Sequence, residues 1–469
     1  MSEHLERELK LSVPAGFHLP DLGGTELPDR SFLSTYHDTQ DLRLARHAIT
    51  FRYRVEAGSG LWQLKLPSGA ARMELEEPGV PARPPERLLG LLVALLRGRE
   101  LVRVARLGTR RRSVRANGAE IVDDAVSVFD GQRITARFRE VEVELLDGDE
   151  RSLRSLEAAL REAGAEPGVF EPKLFRVLEL ANPSGPRTVP AGAPAGEALG
   201  AALEQQHERL LAHDPGTRLG VDPEDLHQMR VATRRSRAFL RTARPILAGD
   251  WAEPLRAELR WLGTALGRAR DLDVLVEHLR SETTLLKGDE REAGGLLGSL
   301  EAERRMARHE AVAALAEDRY FELLDALERG AVSARTDAAE SSLAELWWRE
   351  FRRCRRAFEG LSRTSKDSEL HAARIRVKRA RYAAELAAPE LGGPGERFVA
   401  KAKRLQDVLG EHQDAVVAQA RIERWPAEGG SERTAEKLRR RERQRREETR
   451  AAWPKAWKKV ERRARKAGT

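Results

Sequence analysis

The sequence has little of several residue types that mark common protein classes. Only one of its 469 residues is a cysteine, Cys354, which excludes internal disulfides and thiolate metal clusters. Aromatic residues make up 5% of the chain, which argues against a surface built to stack single-stranded bases. There is no apolar run of 18 residues and no basic and apolar leader, so we expect a cytoplasmic protein that does not bind membranes.

Charged residues are abundant instead. They form 34% of the chain, and 83 Lys and Arg residues against 75 Asp and Glu residues give a formal net charge of +8. Taken alone, this net charge allows a nucleic acid, an acidic membrane or another polyphosphate as partner. A chain of 469 residues is long enough for two or three domains.

The pattern of the sequence changes near residue 180. Before it, charged and apolar residues alternate as in β-strands, and after about residue 195 the pattern is helical. A stretch rich in proline, glycine and alanine separates the two parts. We therefore predict an α+β multidomain protein with a β domain at 1–180, a linker at 181–196 and a helical domain at 197–465. The charged segment 433–466 predicts a long, exposed helix.

The helical part contains one unusual motif twice. HQMRVATRRSR begins at His227, and HAARIRVKRAR begins 144 residues later at His371 (371 − 227 = 144). On a helix, the histidine and three of the basic residues in each copy form one stripe. Because like charges at this spacing repel, we interpret the two stripes as an anion-binding surface. The repeated positions are His227, Arg230, Arg234, Arg235, Arg237, His371, Arg374, Lys378, Arg379 and Arg381.

The repeat is wider than the motif and predicts two helical bundles, at about 197–330 and 340–465. The two basic helices should face each other or share one groove. A solvated face is the ordinary interpretation of a single charge run, and the duplication favours a binding surface. Asp271, Asp273 and Asp414 follow the basic helices and either bind a metal or, as is more common, brace arginines.

The N-terminal strands carry charges of both signs at every second position. In an ordinary antiparallel sheet such a face meets solvent. Because several strands share the pattern, we favour a closed barrel whose charged residues line the interior. Clustered carboxylates suit Mg²⁺ or Mn²⁺, and interleaved arginine and lysine suit phosphate oxygens. The sequence therefore predicts a site for a metal-bound polyphosphate.

These motifs resemble the CYTH family, the triphosphate tunnel metalloenzymes, over about residues 1–180. The opening Glu6-x-Glu8-x-Lys10 is the signature of that family. Similar segments follow in the same order, namely YHDTQDLRLAR, FRYR, WQLKLP, RMELE, TRRR, VDD and EVEVEL. The resemblance implies an eight-stranded antiparallel β tunnel with flanking helices. Its implied activity is metal-dependent hydrolysis of inorganic triphosphate or a related triphosphate, with Mg²⁺ or Mn²⁺ as cofactor.

The resemblance also implies roles for individual residues. The catalytic set is Glu6, Glu8, Lys10 and Lys65. The implied metal ligands are Glu6, Glu8, Asp124, Glu140, Glu142 and Glu144. The implied phosphate-binding residues are Lys10, Arg52, Arg54, Lys65, Arg72, Arg111 and Lys173. Arg111 is preferred to its neighbours because it shares a face with Thr109 and Ser113, and Lys173 follows Glu171 and Pro172 where the family has a small residue.

The duplicated basic region resembles the CHAD domain, an all-helical module often found after CYTH. This resemblance implies that the ten repeated residues bind inorganic polyphosphate, without catalysis, and it suggests an association with polyphosphate granules. Nucleic acid is expected only as a weak electrostatic competitor. The oligomeric state is left open.

Three other functions compete with the triphosphatase. The first alternative is a non-catalytic polyphosphate-binding or granule-associated protein that uses the tunnel as a ligand pocket. The second is a nucleotide cyclase, as known elsewhere in CYTH, and the third is an RNA- or DNA-binding protein. The complete set of tunnel charges favours the enzyme over the first alternative. No motif in the sequence looks like a pocket for a nucleotide base, which places cyclisation lower.

Overall fold

The computed structural model describes residues 2–6, 8–14, 16–68, 71–147, 149–168, 172–180, 187–286, 289–332, 334 and 342–468. The chain divides into two compact units, Met1–Gly185 and Pro186–Thr469.

The first unit is built on one antiparallel sheet. Its strands are β1 (Ser2–Glu6), β2 (Glu8–Ser12), β3 (Thr25–Asp38), β4 (Thr50–Glu56), β5 (Ser59–Ser68), β6 (Ala71–Pro78), β7 (Val102–Ala116), β8 (Ala119–Asp130), β9 (Arg133–Leu145) and β10 (Glu166–Pro167). They are hydrogen-bonded in the order β1-β6-β5-β4-β3-β7-β8-β9-β2-β10. Apart from the two-residue β10, this order begins with β1 and ends with β2. Because β1 and β2 are consecutive in the chain, the two ends of the sheet meet at the N-terminal segment, and the sheet is curled.

The eight-stranded antiparallel prediction is confirmed when β1 and β2 are counted as halves of one strand and the two-residue β10 is set aside. The register then places charged positions side by side. Lys10 is opposite Glu142, and Asp124 is opposite both Arg111 and Glu140. Opposite residues in antiparallel strands project to the same face, so these charges share the inner face of the sheet.

Apolar residues that alternate with these charges face a layer of helices. The helices of this unit are α1 (Arg43–Arg46), α2 (Glu86–Gly90), α3 (Val93–Leu96), α4 (Glu150–Glu162) and α5 (Lys173–Val177). Leu156 and Leu160 of α4 share a buried cluster with Val141 of β9. Leu174 and Phe175 of α5 are buried in a second cluster against the sheet. Burial of these side chains fixes the helices on the outer face of the sheet.

The second unit is helical in its described residues. Its helices are α6 (Ala195–Leu219), α7 (Pro223–Ala243), α8 (Ala252–Ala265), α9 (Gly267–Thr283), α10 (Glu290–Leu315), α11 (Asp318–Val332), α12 (Leu343–Phe358), α13 (Asp367–Leu386), α14 (Ala388–Arg424) and α15 (Glu432–Ala467). Two short 3-10 helices lie at Arg244–Ile246 and Trp425–Glu428. In the part of the chain that is described, no helix is both long and apolar enough to cross a membrane.

The duplication in the sequence is also present in the helices. The helix that carries each basic motif begins at an equivalent position, α7 at Pro223 and α13 at Asp367 (367 − 223 = 144). Each is preceded by one helix, α6 or α12. The second copy then differs, because α14 is one long helix with a kink at Gly392, where φ is 52°.

The C-terminal helix α15 is not the exposed helix that its composition predicts. Leu438, Trp453 and Val460 on one of its faces are buried, and the helix packs along α14. Its cations also pair with other helices, as Arg441 does with Glu282 at 2.5 Å. The apolar stripe is sparse among the many charges, so the sequence composition hides it.

Candidate active site and anion-binding groove

The curled sheet of the first unit contains a cavity of about 220 Å³. Charges of both signs and polar groups line most of its wall. These residues are Lys10, Arg30, Tyr36, Thr50, Arg52, Arg54, Gln63, Lys65, Arg72, Glu74, Glu76, Arg111, Glu142, Glu144 and Lys173. An interior of this kind is stable only when its charges compensate one another or a bound ion.

Three carboxylates, which we call the carboxylate cluster, meet beside the cavity, and Glu142 of the cluster lines it. Asp124 on β8 and Glu140 and Glu142 on β9 each present an oxygen, and these oxygens lie within 4.8 Å of one another. All three residues are buried. Clustered carboxylate oxygens are ligands that hard divalent cations prefer, so the chemistry of this cluster fits Mg²⁺ or Mn²⁺.

Three cations of the chain contact the carboxylate cluster. Lys173 Nζ lies 3.1 Å from Asp124 and 3.0 Å from Glu142, and it also pairs with Glu140. Lys10 Nζ lies 2.6 Å from Glu142. Arg111 donates two parallel hydrogen bonds to Asp124, of 2.9 and 2.8 Å. These charge-assisted contacts keep the buried carboxylates compensated.

The contacts set the protonation of the cluster. Burial opposes ionisation of Glu142, but Lys10, Lys173 and Arg111 outweigh burial and hold its pKa well below the ordinary value. Burial raises the pKa of Glu140, and the charge of Lys173 offsets only part of that effect. Burial also opposes the charge of Lys173, yet the three carboxylates keep its pKa well above the ordinary value.

The other side of the cavity is rich in arginine and lysine. Arg52 donates to the side-chain oxygen of Gln63 at 2.7 Å, and Lys65 Nζ lies 3.3 Å from Glu74. Burial, together with the charges of Arg52 and other arginines, lowers the pKa of Arg54 to about 10. Such crowding of buried cations favours an anion that brings negative charge to them. The cavity thus combines a cation-binding wall and an anion-binding wall.

The second unit has a groove of about 880 Å³ between its two basic helices. Eight of the ten repeated positions line it, namely His227, Arg230, Arg234, Arg235, His371, Arg374, Lys378 and Arg381. The remaining two lie outside this lining in the described residues. Arg237 is next to Arg256 and Arg260, and Arg379 is next to Arg353 and Arg376.

The cations of the groove are buried close to one another. Burial, and then the charges of Arg374 and Arg234, lower the pKa of Lys378 to about 7. Burial and the charge of Arg270 lower the pKa of His227. Among the described residues, Nη1 of Arg230 and Nε of both Arg234 and Arg374 are buried without a hydrogen-bond partner. Donors left unpaired in this way are suited to the oxygens of an entering polyanion.

The two histidines of the motifs have matching partners. His227 Nδ1 accepts from Arg270 at 3.0 Å, and His371 Nδ1 lies 2.8 Å from the Gln413 side-chain oxygen. Two of the acids after the basic helices, Asp271 and Asp273, brace arginines. Asp271 lies 3.3 Å from Arg230, and Asp273 lies 2.8 Å from Arg304 and 3.2 Å from Arg308.

Comparison with known proteins identifies both units. A model of the CYTH domain matches residues 4–176, and a model of the CHAD domain matches residues 201–423. Uncharacterized protein Rv2226 of Mycobacterium tuberculosis is 31% identical over 477 residues, which cover 90% of this chain and 88% of the relative. The chain is a CYTH–CHAD protein. Its first unit is therefore a triphosphate-tunnel domain, and its second unit is a CHAD domain.

Solved structures resemble each domain separately. The CHAD domain from the plant Ricinus communis is 24% identical, with a TM-score of 0.48, and covers 59% of this chain and 95% of its own. The putative adenylyl cyclase HpAC1 from Hippeastrum, described as having a dominant triphosphatase activity, is 19% identical with a TM-score of 0.26. It covers 38% of this chain and 98% of its own.

Most of the residues implied by the CYTH resemblance line the tunnel cavity, whereas Asp124 and Glu140 are buried beside Glu142 without lining it. Arg111 lines it, whereas Arg110 and Arg112 point away and approach Asp29. Arg72 lines it and donates to the Ala48 carbonyl at 2.7 Å. The side chains of Glu6 and Glu8 lie outside what the structure describes, although their backbone pairs opposite Arg72 and Glu144.

The structure adds residues that were not assigned from the CYTH sequence. Tyr36, Gln63, Glu74 and Glu76 line the cavity, and Tyr36 accepts a hydrogen bond of 2.9 Å from Arg52. The two glutamates alternate with apolar residues after Arg72, and this period-two signal was available in the sequence. Tyr36 and Gln63 lie in segments that resemble the family, but no charge marks their position on a face.

Proposed function

We propose that the CYTH domain hydrolyses the terminal phosphoanhydride bond of inorganic triphosphate, or of a related triphosphate, with a divalent cation. The observation that carries the proposal is the cavity itself, which Glu142 of the carboxylate cluster lines together with several arginines and lysines. Phosphoryl transfer depends on positioning and charge neutralisation more than on covalent catalysis. The cavity supplies both kinds of charge in one buried place.

The residues divide the task by their charge. Asp124, Glu140 and Glu142 would hold Mg²⁺ or Mn²⁺, which supplies Lewis-acid neutralisation of phosphate oxygens when bound. Arg52 and Arg54 offer forked donors for the outer phosphates. We further propose that Glu6 and Glu8 complete the metal ligands, as the resemblance implies.

The tunnel also orders and shields the reaction. Arg52 is braced by Gln63 and Tyr36, so its guanidinium is oriented before a substrate arrives. Walls built from strands hold these groups more rigidly than loops do. A low-dielectric interior also strengthens every charge contact that forms with a phosphate.

The test is phosphate release from inorganic triphosphate by the full chain with Mg²⁺ or Mn²⁺. The wild type is compared with Glu6→Gln/Glu8→Gln and with Arg110→Gln as a matched surface control. We expect turnover that needs the cation, is lost in the double variant and is retained in the control. Absence of turnover with either metal leaves the non-catalytic ligand pocket as the function of the tunnel.

For the CHAD domain, we propose binding of inorganic polyphosphate in the groove between α7 and α13. The support is a groove lined by both copies of the basic motif, with buried guanidinium nitrogens that lack partners among the described residues. Competition between long polyphosphate and duplex DNA at fixed salt tests the choice of polyanion. We expect polyphosphate to displace DNA at lower phosphate concentration than the reverse, and equal displacement contradicts the proposal.

A further inference from the structure

The carboxylate cluster is compensated by the chain before any metal is considered. Its three carboxylates contact three cations, Lys10, Arg111 and Lys173. The charges of these six groups sum to zero when all are ionised. A divalent cation added to these six groups, with none of them displaced, brings into a buried site positive charge that the six do not compensate, which is unfavourable.

Lys173 occupies the place that a metal shared by the cluster needs. Its single ammonium lies 3.1 Å from Asp124 and 3.0 Å from Glu142 and also pairs with Glu140, so it bridges all three carboxylates. Arg111, in contrast, binds Asp124 through a parallel pair of hydrogen bonds. A cation ligated by the three carboxylates competes directly with the Lys173 ammonium.

The position of Lys173 also allows its ammonium to move. The residue begins α5, whose next two side chains, Leu174 and Phe175, are anchored in a buried cluster. The backbone is thus fixed, while the four-carbon side chain remains a flexible stem. Lys173 lines the same cavity as Arg52 and Lys65. An ammonium released from the cluster can therefore reach an anion in the tunnel.

We infer that Lys173 is the resident counter-ion of the carboxylate cluster, that a divalent cation replaces it there, and that the displaced ammonium turns to the bound triphosphate. This inference rests on the proposed function, since it concerns the same cation and the same anion. The exchange makes the two ligands cooperative, because triphosphate receives the ammonium that the metal displaces.

Binding of Mn²⁺ to the full chain without a phosphate ligand tests the exchange. The free Mn²⁺ signal in electron paramagnetic resonance gives the affinity, and Glu142→Gln identifies the part that belongs to this site. Lys173→Gln removes the charge but keeps a hydrogen-bond donor, Lys173→Met removes both, and Lys173→Arg keeps the charge as the matched control. We expect both neutral variants to bind Mn²⁺ about tenfold more tightly than the wild type, and Lys173→Arg to resemble it.

Adding inorganic triphosphate should reduce the difference in Mn²⁺ affinity between the wild type and the neutral variants, because the Lys173 ammonium of the wild type then has another partner. Unchanged or weaker Mn²⁺ binding by the neutral variants overturns the inference, and the triphosphatase stands if the wild type still releases phosphate. Absence of Mn²⁺ binding in every variant, together with no phosphate release, overturns the proposed function as well. Circular dichroism verifies folding, and either neutral variant suffices if the other does not fold.

Discussion

Arg111 and Asp124 are joined by two parallel hydrogen bonds, of 2.9 and 2.8 Å, across the neighbouring strands β7 and β8. Asp124 is fully buried. Burial opposes its ionisation, but Lys173 and Arg111 outweigh burial, and the pKa of Asp124 lies below the ordinary value. The pair shows how neighbouring cations keep a buried carboxylate charged.

Removal of Arg111 should destabilise the CYTH domain. Arg111→Ala leaves the Asp124 charge partly uncompensated in a buried site, which costs about 3–5 kcal/mol. Arg110→Ala is the matched control on the same strand, because its side chain is 64% exposed, and it should change stability by less than about 0.5 kcal/mol. Urea unfolding of the full-length variants measures both. Equal stability of the two variants would contradict the role assigned to Arg111.

The domain should lose stability in acid in a way that depends on Glu142. Its pKa in the folded protein is lowered, so its stabilisation is complete above the ordinary carboxyl pKa of about 4.3 and is lost as the pH falls through the lower folded value. Unfolding free energies between pH 3 and pH 7 measure the effect. Glu142→Gln should be less stable at pH 7 and show a shallower acid slope, and an unchanged slope would argue against the prediction.

The CHAD groove should bind polyphosphate with a steep salt dependence. Each cation that contacts a phosphate adds about one unit to the slope of log affinity against log salt. We expect Arg234→Gln to lower that slope by about one and to weaken binding at low salt. Arg424→Gln is the control, since Arg424 is an exposed arginine outside the groove lining. Fluorescence anisotropy with labelled polyphosphate measures both slopes, and identical slopes would place the binding surface elsewhere.

Polyphosphate affinity should rise as the pH falls through neutrality. The pKa of Lys378 in the groove is about 7, so the side chain is uncharged in most molecules above that pH. A bound polyanion favours the charged form, and binding then takes up a proton. Lys378→Arg keeps the charge at all these pH values and should flatten the profile between pH 6 and pH 8. Protonation of polyphosphate itself affects its binding to the wild type and to Lys378→Arg equally. If the pH profile of affinity is the same in both proteins, the pH dependence does not come from Lys378.

The sequence predicted the tunnel charges because β-strands alternate faces. That alternation separates Arg111 from Arg110 and brings Glu140 and Glu142 to one side. It does not predict that Lys173 bridges the carboxylates, because the position of α5 depends on how Leu174 and Phe175 pack on the sheet. Contacts between segments that are distant in the sequence depend on such packing, and the alternation of residues within a strand does not predict them.

The repeat in the CHAD domain predicted a shared groove but not its asymmetry. Arg235 and Arg379 occupy equivalent positions, yet only Arg235 lines the groove among the described residues. Arg235 lies 3.0 Å from Glu385, whereas the sequence equivalent of Glu385 in the other copy is Arg241 (385 − 144 = 241). Duplication preserves the helices, while substituted side chains change which cations are paired.

The most direct test of the account is a ³¹P nuclear magnetic resonance time course of inorganic triphosphate with the full chain. With Mg²⁺ or Mn²⁺ present, the account predicts that the wild type converts triphosphate into pyrophosphate and orthophosphate. Addition of a chelator or the substitution Glu142→Gln should abolish the conversion. No conversion by the wild type with either cation, or an equal rate in Glu142→Gln, would contradict the central claim that the carboxylate cluster serves a metal-dependent triphosphatase.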